Sequence, residues 1–496
     1  MSIFSEQFAK WNAEKAVNIE SLCKYCGVKS TDMYDYIRGK GDLPSAEIFQ
    51  KITEFLHLTP SEYKKFQEAY FISEVGKETY YRRKSVEHFI INFPNPLPGL
   101  QTLKPKNPED FHMNLAMEKR FCTALSSQVE VNHALYRVLL EESWQENGKI
   151  ALLLQPDYGF LFDLLSSLKP VNSLRIDHLF CISREGQMNE KNELYGLEYL
   201  KTMFPLFVAD LDYHPCYFYG DIASRSFNFT GISCLILTSK CAIACTSDYQ
   251  TGVLYGNPEV VSMFWELFSS YKEKGTELFQ AVKFVPENTK ALESVLQKDK
   301  KCYMLQPESC LTPFITEEIL SHVLRPELPC VELLIQMINE MFANTKELME
   351  GENTYIYFTQ QGLENFRDTG KLKEIPDVFY HPFSVEDRIK MLRALIPYCQ
   401  SWHYRIVNKN YPVMAKGGIP ENFHLCVNGD LGYLLFANIY DENVELRIKE
   451  QGLLTILEDY VANLDDAYFF SPEEAVALVE DMIQTLSQRE HDLRQR

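Results

Sequence analysis

The sequence predicts a multidomain chain, an all-α head followed by a mixed α/β body. Three observations carry that reading. Short amphipathic helices fill residues 1–92, five prolines crowd the stretch after them, and beyond the prolines apolar strands alternate with helices. A chain of 496 residues has room for two or three domains.

In the head, residues 3–15 form a first helix with Phe4, Phe8 and Trp11 on its inner face. Asn18 caps a second helix whose inner face holds Ile19 and Leu22. Cys26-Gly27-Val28 is a tight turn, where Gly27 suits a positive φ. A third helix covers residues 30–38, with Met33, Tyr36 and Ile37 inward at i, i+3 and i+4, and Gly39 and Gly41 end it. Pro44-Ser45 opens a fourth helix with Ile48, Ile52, Phe55 and Leu56 inward. Thr59-Pro60-Ser61-Glu62 is a capping box that starts a fifth. After Gly76 a sixth carries Tyr80-Tyr81-Arg82-Arg83-Lys84, then Val86, Phe89 and Ile90. That basic run reads as a solvated helix face, or else as a phosphate-contacting or dimer helix.

Two short helices about a glycine turn, backed by further amphipathic helices, describe a helix-turn-helix. Residues 18–70 resemble the phage-repressor-type (XRE) helix-turn-helix family. The matching positions are Leu22, Cys23, Gly27-Val28, Met33, Gly39-Lys40, Pro44-Ser45, Ile48, Leu56 and Leu58. The chain departs from the family at Ile19, where a phosphate-contacting Gln is common, at Lys29, where Ser or Thr caps, and at Ile37, where Glu is common. The resemblance implies that the helix at 30–38 enters the major groove of double-stranded DNA. The DNA-binding residues it implies are Lys29, Ser30, Thr31, Asp32, Tyr34, Asp35, Arg38 and Lys40. Ser30, Thr31, Asp32 and Tyr34 would reach base edges, and Lys29, Arg38 and Lys40 would sit against phosphates. Two carboxylates on that face repel phosphate, so a homodimer is expected to be needed.

Pro94, Pro96, Pro98, Pro105 and Pro108 exclude helix and central strand, which makes 93–115 a stiff linker. The body follows as two halves, 116–290 and 291–496. In the first, residues 118–142 read as helix, 150–154 as a buried strand, 158–168 as helix and 174–182 as strand. Residues 192–204 read as helix and 213–219 as an aromatic strand. Residues 232–238 and 241–246 pair around Ser239-Lys240, a short strand follows at 253–255, and Asn257-Pro258 caps a helix to about residue 271. In the second half, 354–358 and 403–407 are strands separated by two helices, the second capped by Ser384. Residues 423–427 and 431–440 pair around Asn428-Gly429-Asp430, 444–448 is short, and a helix at 453–464 closes. Ser471-Pro472-Glu473-Glu474 caps a last helix. The same order thus recurs about 195 residues on. Two explanations stand side by side: an internally duplicated α/β unit, and the chance recurrence any α/β chain can give. Such a body behind such a head resembles the sensor regions of one-component bacterial regulators. Its strand order is loosely similar to phospholipase-D-like halves, although the His-x-Lys-x-x-x-x-Asp of their active members begins at none of the eleven histidines.

Charge separates the two parts. The formal net charge is −20, yet residues 1–90 hold 13 acidic and 13 basic side chains, so the acidity lies beyond them. An acidic body would keep off nucleic acid while a neutral head docks. The thirteen cysteines have no framework spacing, and MSIFSEQFAKW lacks the apolar core of a signal peptide. Reduced thiols in a cytoplasmic protein are therefore expected. The apolar run at 232–245 is broken by Thr238, Ser239 and Lys240 and is too short to cross a membrane.

Catalytic signatures are missing: no GxGxxG after a strand, no GxxxxGK[ST], no HExxH, no GxSxG. Cys23-x-x-Cys26 has no second pair at zinc spacing and reads as core, as do Cys241 and Cys245. Asp210-Leu-Asp212 with His214 offers metal-ligand types, but a loop before a strand explains them as well. Tyr213, Tyr217, Phe218 and Tyr219 could line a pocket or pack a sheet face. No metal and no cofactor is expected, and no enzyme. The expected function is a sequence-specific DNA-binding transcriptional regulator whose body senses a small-molecule effector or oligomerises. The alternative is a helix-turn-helix protein that binds a protein partner.

Overall fold

A computed structural model describes residues 2–93, 122–170, 173–182, 194–220, 234–283, 297, 299–327, 335, 336, 339, 346, 347 and 351–495, the last range without 373, 374, 376, 378, 402, 422 and 441. The linker expected at 93–115 lies outside the described residues except for Phe93. The chain folds as two compact units, one up to Ser85 and one from Val86 onward. The described part of the chain is thus a helical unit followed by a unit with two mixed sheets. Among the described residues no helix is long and apolar enough to cross a membrane.

Local chemistry sets the helices of the first unit. They are α1 (Ile3–Glu14), α2 (Ile19–Cys26), α3 (Ser30–Arg38), α4 (Ala46–Phe55), α5 (Pro60–Val75) and α6 (Lys77–Ile91), the last continuing into the second unit. The side chains of Ser2, Asn18 and Ser45 accept from backbone N–H groups at the starts of α1, α2 and α4, and Thr59 with Glu62 forms the reciprocal box at α5. Lys29, at the start of α3, supplies no such bond. Gly27 (φ 71°) ends α2 in the left-handed conformation, and Gly39 (φ 63°) ends α3 likewise. At Gly39 a Cβ would fall 2.6 Å from Ser5 Oγ, so the end of α3 lies close against α1. An aromatic cluster fills the core. Phe4 stacks on Phe66 at 5.0 Å, Phe49 stacks on Tyr70 at 4.4 Å, and Trp11 meets Phe66 edge-on.

The second unit is built on two sheets. The first has the order β1-β7-β6-β5-β2-β3-β4-β8. Its strands are β1 (Cys122–Leu125), β2 (Asn147–Leu153), β3 (Ser173–Ile182), β4 (Asp212–Tyr219), β5 (Cys234–Leu237), β6 (Ala242–Cys245), β7 (Gly252–Tyr255) and β8 (Thr276–Glu277). The second has the order β12-β11-β10-β13-β14-β15-β9. It comprises β9 (Phe279–Lys283), β10 (Cys302–Leu305), β11 (Thr354–Thr359), β12 (Tyr404–Val407), β13 (His424–Asn428), β14 (Leu431–Ala437) and β15 (Asn443–Ile448). Written from β7 to β4 and from β15 to β12, six strands of each sheet follow one order. In each, three parallel strands adjoin three antiparallel ones, and the join is the antiparallel pair β2–β5 or β10–β13. The parallel strands are apolar on both sides because both faces are covered.

Helices α7 (Gln128–Ser143), α8 (Gly159–Ser167) and α9 (Tyr195–Val208) cover one face of the first sheet, and α10 (Pro258–Lys272) covers the other. Helix α9 also reaches the second sheet. Phe207 lies 5.3 Å from Tyr213 on β4, while Phe204 lies 4.5 Å from Phe436 on β14. Further helices among the described residues include α11 (Glu317–Val323), α12 (Gln360–Thr369), α13 (Val385–Cys399), α14 (Gln451–Ala462) and α15 (Pro472–Gln495). One apolar cluster runs from the end of α6 through both sheets to α14, and a second lies under α11, α12, α13 and α15.

Three expectations change. Residues 118–142 were expected to be one helix. Instead β1 pairs with β7, Ser127 caps, and the helix starts only at Gln128. Pairing with a strand more than a hundred residues away in sequence overrides local helix propensity. The helix expected to stop before Pro205 runs through it to Val208. Burial of Phe204 and Phe207 between the sheets offsets the lost backbone bond. Residues 276–283 form two strands that local pattern did not announce: β8 pairs with β4 at the edge of one sheet, and β9 pairs with β15 at the edge of the other.

Candidate functional site

The eight residues expected to read DNA lie on and beside α3. Met33 is buried, Tyr36 and Ile37 are half-buried, and Lys29, Ser30, Thr31, Asp32, Tyr34, Asp35, Arg38 and Lys40 are exposed. Several of them engage one another. Thr31 Oγ1 donates to Asp32 Oδ1 at 3.1 Å, and the Arg38 guanidinium lies 5.3 Å over the Tyr34 ring. The face presents three cations and two carboxylates.

The metal-ligand types at 210–214 do not converge. Asp212 Oδ1 bonds His214 Nε2 at 2.7 Å, whereas Asp210 accepts from Lys283 Nζ at 2.7 Å. Among the described residues no group of three His, Cys, Asp or Glu could hold a metal. Along β4, Tyr213, Tyr217 and Tyr219 share one face, where Tyr213 and Tyr217 enter the core and exposed Tyr219 donates to Glu450 Oε1 at 2.9 Å, while Phe218 packs against the opposite face. Burial, together with Cys23, pushes the Cys26 thiol up to about 11. Burial likewise drives Cys241 to about 11 and Cys245 to about 12, so these are neutral core thiols.

A different constellation sits at the carboxyl ends of β2 and β10. Each strand continues into the same four-residue signature, Leu154-Gln155-Pro156-Asp157 in one half and Leu305-Gln306-Pro307-Glu308 in the other. Each lies at the carboxyl end of the strand from which the strand order runs outward in both directions, and open α/β sheets take ligands at the carboxyl ends of strands where the order reverses. The sequence carried the signal, but it is two apolar-to-polar junctions that no catalytic motif contains.

In the first half, Gln155 is 8% exposed and its side-chain oxygen is buried with no hydrogen-bond partner. Its surroundings are held firmly. The Tyr249 hydroxyl lies 3.4 Å from Gln155 O and donates to Asp157 Oδ1 at 2.9 Å, and its ring stacks on Tyr158 at 4.0 Å. Tyr249 adopts φ 58°, a left-handed conformation that costs a bulky residue about 1–3 kcal/mol. Burial, then the neighbouring Cys234 and Asp157, pushes its phenol far up, so it stays a donor. On the other side, His178 Nε2 lies 3.0 Å from Leu154 O and its Nδ1 lies 2.7 Å from the Tyr213 hydroxyl. A carbonyl can only accept, so Nε2 carries the proton and Nδ1 accepts from Tyr213. Burial lowers this imidazole to about 4, so it is a neutral strut that fixes the carbonyl beside Gln155.

No family model matches the chain, and no curated protein does. A solved structure of polyphosphate kinase from Porphyromonas gingivalis is similar at 10% identity, over 75% of this chain and 56% of that one. The chain therefore spans little more than half of that kinase's length. At a TM-score of 0.20 the likeness carries no argument.

Nothing in these comparisons points to DNA binding, which corrects the expected function of a DNA-binding transcriptional regulator. The physical reason lies on α3. Duplex binding draws its strength from cations that neutralise phosphates. Here Asp32 and Asp35 offset two of the three cations, so this face lacks the basic patch that marks a nucleic-acid binder.

Proposed function

We propose that this chain binds a small polar molecule without turning it over, and that its body arose by internal duplication. The shared strand order and the repeated Leu-Gln-Pro-acid signature support the duplication. The head's likeness to the repressor-type helix-turn-helix enters this reading as a likeness of fold alone. The binding site is the carboxyl end of β2. The observation that carries it is Gln155, whose amide oxygen is buried without a partner beside a tyrosine held in a strained conformation. Buried polar groups are nearly always satisfied, and exceptions concentrate where something else binds. A ligand N–H or O–H would complete the amide, and the stacked Tyr158 and Tyr249 rings would flank it.

The test is thermal shift of the full chain across pools of small polar metabolites. A ligand at a hundred times its Kd adds about 2.7 kcal/mol. The stabilising compound should lose its effect on Gln155→Leu and keep it on Thr31→Ala in the head. A screen without a stabiliser, or one that Gln155→Leu still answers, overturns the reading.

A further inference from the structure

We propose that the second half holds a ligand site of its own, in which His424 and Ser309 grip an uncharged polar group at the carboxyl end of β10. Register brings one of them there. Leu305 pairs with Leu425, so the next residues along, Gln306 and His424, face each other across β10 and β13. Side-chain alternation puts His424 on the side of Cys426, whose thiol lies 3.8 Å from that of Cys302.

Ser309 is brought to the same end of the strand by a clamped turn. The Pro307 carbonyl accepts from Thr359 N at 3.1 Å and from Thr359 Oγ1 at 2.7 Å. A Cβ at Gly362 would fall 2.1 Å from that oxygen, so the first turn of α12 lies directly against it and only glycine fits. Gln306 Nε2 donates to Glu308 O at 2.7 Å and closes the turn. Ser309 leaves it 3% exposed, with its hydroxyl buried and unpartnered. His424 Nε2 is buried and unpartnered as well. Two such atoms at one strand end point to a ligand, since a hydroxyl and a neutral imidazole can together give and take one hydrogen bond each.

The ligand's charge follows from what surrounds the ring. Burial drives His424 down to about 4, so it is neutral near neutral pH. On β14 the ring neighbour is Tyr433, 5.9 Å away, whose phenol burial keeps protonated. On β15, Glu445 and Arg447 face each other at 2.6 Å and cancel. A bound anion would call for an imidazolium, which the neutral ring does not supply, and a bound cation for a free carboxylate, whereas Glu308 beside Ser309 already has an interaction partner. A carboxamide or a hydroxyl fits.

The probes are acetamide, acetate and methylammonium, titrated into the full chain with carbon-13-labelled imidazoles. His424→Gln identifies the His424 signal. Acetamide should shift that signal saturably while the two ions leave it in place. Ser309→Ala should weaken the acetamide response about tenfold or more. Gln155→Leu should leave it unchanged, which separates this site from the one in the first half. Equal shifts from all three probes, a response untouched by Ser309→Ala, or a His424 signal that titrates at the ordinary value for a solvated ring overturns the proposal.

Discussion

Replacing Gln155 by leucine separates two effects that a mutation usually mixes. The change removes a buried oxygen that has no partner and keeps a side chain of similar size. The unliganded protein should therefore gain about 1 kcal/mol, read as a higher midpoint in urea, while ligand stabilisation disappears. A loss of stability would mean that the amide is satisfied and the site misjudged. A second residue-scale prediction concerns pH. His322 Nε2 lies 2.9 Å from Asp387 Oδ2, and its Nδ1 lies 2.7 Å from Glu318 O. Both partners only accept, so the imidazolium fits best, and the hydrogen bond to Asp387 raises the pKa of His322. For Asp387, burial acts upward, but its bonds to Ser384 and His322 outweigh that and lower it. A raised histidine contributes fully below its unfolded value of about 6.5 and loses that contribution as pH rises through its folded value. A lowered aspartate contributes above its unfolded value of about 3.9 and loses that as pH falls. The contribution of this pair to stability should thus fall as pH rises above about 6.5, and Asp387→Asn should flatten that part of the curve. Neither group was singled out in the sequence, because a histidine on one helix and an aspartate on another become partners only through the fold.

At the scale of elements, the legible features were those decided within a few residues. Asn18, Ser45, the Thr59 box, Asn257, Ser384 and the Ser471–Glu474 box all cap helices where local chemistry said they would. Strands β1, β8, β9 and β10 were illegible because each exists by pairing with a strand distant in sequence. The site at Gln155 was illegible for a related reason: an amide becomes unusual only when the fold buries it. Gly39 joins the two kinds of information. Its glycine turn was readable, but its closeness to Ser5 was not. Gly39→Ala should cost about 1–2 kcal/mol for the left-handed φ alone, and more for the crowding against Ser5. Hydrogen exchange of the α3 amides should accelerate accordingly, with the exchange of β2 unchanged.

At the scale of the whole body, one apolar cluster passes through both sheets, with α9 between them. The two halves should therefore unfold in a single transition. Phe204→Ala, which empties a position between the sheets, should cost about 3–5 kcal/mol by chemical denaturation and leave one transition. Two separate transitions in the unmutated chain would show that the halves are independent.

The segment from Thr276 to Lys283 has a consequence for how the protein is made. It leaves the first sheet at β4 and supplies the outer strand of the second, yet its partner β15 begins only at Asn443. On a ribosome adding 5–20 residues per second, β9 waits roughly ten to thirty seconds for that partner. Through that interval it is a nascent strand with an open ladder on a growing chain. Gln280 and Lys283 lie on that strand, and polar or charged side chains there discourage wrong pairing. The second half therefore cannot finish folding from its own residues. A chain broken after β9 strands the missing edge on the wrong fragment, and a translational pause in the same stretch lengthens the exposure.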